Sequence, residues 1–425
     1  MEFFNELGAL IEGRWRARNY QDEVFSAVAA EALSEFKLTE RIDPWQILHW
    51  LFATPNLPVQ MDLEAVFGDP PITLYSGHRF FIDAYYWLDG TTSIHQHSFH
   101  GAFQLLLGSS VHSRYRFENR REVNPRFLVG DVMLNDVALL TRGDIREITA
   151  GPQLIHSLFH LERPSVTITV RTHKSPSAAV QYSYRKPFIA YDPFFKDQLV
   201  EKQIQTVGLL LAMKHPEADE MIGMLLDTAD FQTAYLVLEK AFAYLCHREL
   251  ENLMGISKST ERFHSLLERV RARHGELTDR VLPVLEEEWR QNDIARRRTQ
   301  IKSENHRFFL ALLLNVPERT NVLRLIKEKF PDQEPVELVV DWVSELASMK
   351  IFGSHESNVL GVGEFNEAHL FVFKELLEGR EPEQIEYRMA APASRDEPPQ
   401  PNAQRNLLDL ANHIKTLPIF KSLFN

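Results

Sequence analysis

The sequence predicts an α+β multidomain chain in which a small antiparallel β-barrel is followed by an all-helical domain. Three observations carry this expectation. Between about residues 72 and 173 apolar and polar side chains alternate with period two, the mark of half-buried strands. From about residue 195 the apolar period returns to 3.6, as helices require. The 425 residues also suffice for two or three units, at roughly 100–200 residues per domain.

Taken in order, the chain opens with an N-terminal helical segment over 1–71. Val24, Val28, Leu33 and Phe36 stand there among Ala and Glu, and Pro55, Pro58, Gly68, Pro70 and Pro71 mark a loop-rich end. The barrel is expected over 72–190. Val111–Phe117 alternates over seven positions, and Pro164–Arg171 does the same with β-branched residues suited to a pleated surface. Gly90, Gly101, Gly108, Gly130, Gly143 and Gly151 fall between or at the edges of such runs. Short strands with Gly turns and no intervening helix indicate a sandwich or barrel.

A Pro-containing junction, Lys186-Pro187 to Asp192-Pro193, leads to a helical domain over 195–390. Phe231, Tyr235, Leu238, Phe242 and Leu245 form one stripe behind Asp230, a candidate N-cap. Phe263, Leu266, Leu267 and Val270 form a second. Val336, Val339, Val340, Val343 and Leu346 follow Pro335, which suits a first helical turn. Stripes at this spacing are read as core. Residues 391–404 are rich in Pro and predict a linker, and 405–425 predicts a C-terminal helix docking back on the body.

The net charge of −12 gives no broad basic footprint, so nucleic acid is not an expected partner. Cys246 stands alone and cannot form an intramolecular disulfide. Apolar runs such as Phe308–Leu314 are far too short for the ~20 residues that cross a bilayer. The N-terminus carries no basic region and apolar core of a secretory signal. A cytoplasmic protein without membrane contact is expected.

Chemistry concentrates in Ser93-Ile94-His95-Gln96-His97-Ser98-Phe99-His100-Gly101. Residues i and i+2 of a strand share a face, so His95 and His97 can present two imidazoles to one point. Imidazole suits Zn, Cu, Fe and Ni. About sixty residues on, a strand, the turn Gly151-Pro152 and a new strand bring His156.

This arrangement resembles the cupin superfamily, whose first motif supplies His-x-His and whose second supplies another His across a small antiparallel barrel (a jelly roll). The resemblance covers about residues 72–173 and implies that His95, His97 and His156 converge on one metal. Where cupins commonly add a Glu ligand, Gly101 and Ala102 stand. Three histidines without the carboxylate are most similar to the cysteine dioxygenase branch, which holds Fe(II) in this way. His100-Gly101-Ala102-Phe103, Leu105–Gly108 and Pro164–Thr167 match that branch too. Its Ser-His-Tyr relay is replaced by Thr167, Thr169 and Arg171, so free cysteine is expected to be a poor substrate.

His100, Gln104 and His160 are candidates for supporting the ligands from behind. Arg171, placed on the metal-facing side by strand alternation and the resemblance, is a candidate for holding an anionic group of the substrate, with solvent exposure at a strand end as the other reading. Arg79 is a second candidate. Three neutral ligands leave the ion its full charge and up to three open positions, room for an anionic substrate and O₂. The expected function is a metal-dependent cupin enzyme, a non-haem Fe(II) oxygenase or dioxygenase acting on a small anionic or thiol-containing molecule. Zn(II), pointing to hydrolysis, and Ni(II) are the other ions considered. The alternative is a non-catalytic sensor or scaffold whose helical domain binds a protein partner.

Further signals are weaker. Arg296-Arg297-Arg298 after Glu286-Glu287-Glu288 predicts a solvated helix face. Arg319 to Ile351 predicts helical bundle, because its acidic residues would repel phosphate. His247 with Glu249 and Glu251 hints at a second metal without a partner motif.

Overall fold

The computed structural model describes residues 2–61, 63, 67–88, 93–173, 180–246, 258–350, 358–363, 365–385 and 401–424. Residues 391–400 of the linker expected over 391–404 and the group His247, Glu249 and Glu251 lie outside them. Residues 401–404 are not linker but the first turn of the helix Pro401–Thr416, for which Pro401 suits the start.

Four helices open the chain: α1 (Glu2–Ala17), α2 (Phe25–Phe36), α3 (Leu38–Arg41) and α4 (Pro44–Ala53). Asp43 caps α4 by accepting from the Trp45 amide while Gln46 accepts from the Asp43 amide, which satisfies donors that a helix start leaves free. Phe4, Leu7, Ile11 and Trp15 of α1 and Phe25, Val28 and Leu33 of α2 bury one stripe against a β-sheet.

That sheet has the order β1-β2-β9-β4-β7, built from β1 (Pro71–Ser76), β2 (Phe80–Trp87), β9 (Ser165–Thr172), β4 (Gly101–Leu107) and β7 (Ile145–Ile148). Its neighbours pair antiparallel. Ile82, Ala84, Tyr86, Ala102, Leu106, Val166, Ile168 and Val170 face the N-terminal helices. Alternation therefore turns Phe81, Asp83, Tyr85, Phe103, Leu105, Thr167, Thr169 and Arg171 inward.

The remaining strands close on themselves in the order β10-β11-β6-β5-β8-β3. They are β3 (Ile94–His95), β5 (Ser110–Asn124), β6 (Phe127–Leu140), β8 (Ile155–His160), β10 (Ser183–Arg185) and β11 (Ile189–Tyr191). Each contributes to one small core: Ile94, Tyr115, Leu128, Val132, Ile155, Tyr184 and Ala190. On the opposite face of β3, β5 and β8 stand His95, His112 and His156, one position away from Ile94, Val111 and Ile155. Phe99, Phe103 and Leu105 meet Leu140, Leu154 and Leu158 between sheet and ring.

Helices follow. α5 (Gln198–Ala212), α6 (Ala218–Thr228), α7 (Phe231–Leu245), α8 (Lys258–His274) and the start of α9 (Val281–Thr299) share a core with Phe127, Val129 and Ile189 of the ring. Asp230 caps α7 as expected, accepting from the Thr233 amide. α10 (Glu304–Asn315), α11 (Arg319–Lys329), α12 (Pro335–Ser348), α13 (Glu367–Leu377), α14 (Pro401–Thr416) and α15 (Lys421–Phe424) build a second core around Val111, Val137, Phe159 and Leu161. The helices thus sit on outer faces of the strands. No helix among the described residues is long and apolar enough to cross a membrane.

One expectation is corrected here. Arg297 and Arg298 are buried, at 5% and 3% exposure, and so do not form a solvated face. Arg297 pairs with Asp293 and donates to the Val359 carbonyl. Arg298 donates to the carbonyls of Arg307 and Leu161 and lies over the Phe159 ring. Apolar stem and planar donors let guanidinium groups stitch helix to barrel where a sequence pattern shows only charge.

Candidate metal centre

Two neighbouring strands set the site. His95 on β3 lies directly opposite His156 on β8, and cross-strand partners share a face. β3 ends at His95, and His97 is instead fixed by a bridge to Ala150, with the Gly151 amide donating to its carbonyl. The Gly-Pro turn before β8 thereby brings the third histidine into place. One ring nitrogen from each of His95, His97 and His156 lies within 4.8 Å of the others.

The ring nitrogens are differently tied. His95 Nδ1 lies 2.6 Å from the Ser93 carbonyl oxygen. A carbonyl only accepts, so Nδ1 carries the proton and Nε2 keeps its lone pair. His156 Nδ1 lies 2.9 Å from His112 Nε2. His97 Nε2 and His156 Nε2 approach to 2.8 Å. Burial first, then the charges of His95 and Arg171, hold His97 well below the ordinary imidazole range. His156 is lowered in the same way by burial, His95, His97 and His112, and burial also lowers His95. Three neutral imidazoles with one ring nitrogen each gathered in one region are the donor set a divalent transition metal takes.

The facing sheet supplies the opposite wall. Arg171 lies with its guanidinium 4.6 Å from the Phe81 ring and 4.9 Å from the Phe99 ring. Its Nε is 3.7 Å from Asp83 Oδ2, and its side chain is only 18% exposed. Arg171 therefore does not run out to solvent. Asp83, 2% exposed, also accepts from the hydroxyls of Thr73 and Tyr85, each at 2.8 Å. Gly101 sits opposite Arg171 in the β4–β9 ladder.

Four sequence candidates lie elsewhere. His100 and Gln104 share the parity of Ala102 and Leu106, so alternation turns them to the outer face, beneath the N-terminal helices. Burial lowers His100 there, against the nearby charges of Asp22 and Glu23, and the Gln104 amide donates to the Gly143 carbonyl. His160 faces inward but away from the three histidines. It stacks on Trp87 at 4.5 Å and pairs through Nδ1 with Ser110 Oγ at 3.0 Å, and burial lowers it to about 3. Arg79 is exposed in the β1–β2 turn with its guanidinium over Tyr20.

Sequence reading missed His112 and Asp83. Both sat at alternating strand positions, and counting parity from Val111 and Ile82 would have turned them inward.

A ring-and-sheet antiparallel barrel with three histidines on its inner wall is the arrangement that the resemblance to cupins implies. No family model matches the sequence, and no curated protein does. Among solved structures, the chain is similar to hydroquinone 1,2-dioxygenase from Sphingomonas sp. TTNP3 with 4-hydroxybenzoate bound, at 10% identity and TM-score 0.21 over 26% of this chain and 70% of that one. It is similar to a cupin-2 domain containing protein from Shewanella frigidimarina at 10% identity and TM-score 0.20, over 32% and 99% of the two chains. A cupin 2 conserved barrel domain protein from Rhodopseudomonas palustris gives 15% identity and TM-score 0.18, over 29% and 73%.

Proposed function

We propose that the chain is a metal-dependent cupin oxygenase acting on a small organic anion. One observation carries the reading: three neutral imidazoles, two buried and that of His97 half-buried, converge on the inner wall while Arg171 is held on the facing sheet. His95, His97 and His156 would hold the ion, and no carboxylate joins them among the described residues. Imidazole suits Fe(II), Ni(II) and Zn(II) alike; Fe(II) is the ion of this reading, and elemental analysis decides among the three. The bound ion supplies a Lewis-acidic, redox-active centre.

The chain's own residues then divide the work. Phe81 and Phe99 fix the plane of the Arg171 guanidinium, a group that can donate two parallel hydrogen bonds to a carboxylate. Asp83 Oδ2 lies 3.7 Å from its Nε and balances its charge on that side. Phe103, Leu140 and Leu158 keep the space between the walls apolar, which strengthens charge interactions there.

The test is elemental analysis of chain purified without chelators, followed by oxygen uptake. One metal per chain is expected, and His95→Ala should abolish stoichiometric binding. Full occupancy in that variant would move the site elsewhere. Metal without oxygen uptake across a panel of small organic anions would favour the sensor reading. Once a substrate is found, Arg171→Lys should raise KM roughly 10–150-fold, the equivalent of the about 1.5–3 kcal/mol of a lost charged hydrogen bond. An unchanged KM would remove Arg171 from substrate binding.

A further inference from the structure

We infer that His112 is a positioning residue that fixes the tautomer and ring plane of His156. This rests on the reading of His95, His97 and His156 as ligands. His112 stands on β5, beside β8, where Val111 and Phe159 turn outward to the helices and His112 turns inward. Its Nε2 lies 2.9 Å from His156 Nδ1, and the two rings meet nearly at right angles, 89° with centroids 5.1 Å apart. That edge approach directs one nitrogen lone pair along the N–H of the other ring. Phe103 packs against His112 at 5.9 Å, also edge-on, and the residue is 3% exposed. The ring has no room to turn away.

The proton count follows from chemistry. For His156 to offer Nε2 to an ion, its proton must sit on Nδ1. His112 Nε2 must then accept, so the His112 proton sits on its own Nδ1. His95 reaches the same end through a backbone carbonyl. Among the described residues, His112 is the side chain that does this for a candidate ligand. A partner of this kind holds ligand orientation, and its loss costs roughly 10–100-fold in metal affinity.

The experiment uses the full-length chain and Zn(II) as a redox-silent probe, with affinity read by chelator competition. His112→Leu fills the space and removes the acceptor; His112→Gln restores one. The Leu variant is expected to bind one Zn(II) roughly 10–100-fold more weakly, with Gln recovering most of the loss. Long-range proton–nitrogen spectra of Zn-loaded wild type should show Nδ1–H on both His112 and His156. Wild type that binds Zn(II) with Leu unchanged, or with His112 protonated at Nε2, overturns the role of His112 alone. The spectrum decides even if the Leu variant does not fold. Wild type that binds no Zn(II) overturns the ligand reading and this inference together.

Discussion

A methyl group on residue 101 would lie 2.2 Å from the Val170 carbonyl oxygen and 3.0 Å from the Arg171 Cα. Both are backbone atoms of the adjoining strand and cannot swing aside. Glycine is therefore required where β4 passes Arg171, and the close approach helps bring that side chain toward the histidine wall. Gly101→Ala should push β4 from β9 and destabilise the fold by about 1–3 kcal/mol, the usual cost of overpacking. Chemical denaturation measures this. A variant as stable as wild type would show that the two strands separate without cost. Because the strain falls on the Arg171 backbone, the same change should weaken binding of an anionic substrate more than it weakens metal binding.

At the scale of elements, α9 presents two adjacent glutamates to the barrel in opposite electrostatic settings. Glu287 is surrounded by cations: Arg290 at 2.8 Å, Lys186 at 3.7 Å and Lys421 at 3.4 Å. Burial pushes its carboxyl up, but the Arg290 hydrogen bond and the Lys186 charge prevail and hold it at about 2. Glu288 shares one guanidinium, Arg185 of β10, with Glu239 of α7; the distances are 2.9 and 2.7 Å. Burial and the Glu239 charge outweigh Arg185, and Glu288 rises to about 7. The signs differ accordingly. Glu287 contributes stability above its unfolded value of 4.5 that is lost as pH falls toward 2. The native state retains the Glu288 proton where the unfolded chain has lost it, so that contribution is complete below 4.5 and is lost as pH rises through 7. The Glu288 share of the melting temperature should therefore fall between about pH 4.5 and 7, against the opposite trend of the buried histidines below 6.5. Glu288→Gln should remove that share, so that the variant gains on wild type as pH rises through the window. A Gln variant with the wild-type slope would assign the pH dependence elsewhere. The element matters to the site, because Ser183, two residues before Arg185, is the ladder partner of His95.

At the scale of the whole molecule, what the sequence made legible was periodicity. Period two and period 3.6 divided strand from helix, the Gly-Pro turn announced His156, and parity set Arg171 on one strand face with Thr167 and Thr169. What stayed hidden were contacts between elements distant in sequence. His112 meets His156 only because β5 and β8 pair, and Arg298 reaches Leu161 only through the fold. The same hidden contacts decide whether barrel and helices can live apart. Val111, Val137, Phe159 and Leu161 on one side, and Phe127, Val129 and Ile189 on the other, are barrel residues buried in the two helical cores. Full burial of such side chains stabilises by roughly 1.5–3 kcal/mol each. Seven together rival the about 5–15 kcal/mol that separates a folded domain from its unfolded chain. Arg298 adds to the dependence: burial pushes it down to about 9, and the Leu161 carbonyl would lose that donor without the helix. A fragment ending near residue 193 should therefore aggregate or bind hydrophobic dyes, while the full chain melts in one transition. Polar substitutions at Val137 and Phe159 should improve the fragment's solubility and destabilise the full chain. A soluble, cooperatively folding fragment with its three histidines still able to take up metal would show instead that the barrel is self-sufficient and the helices are an accessory.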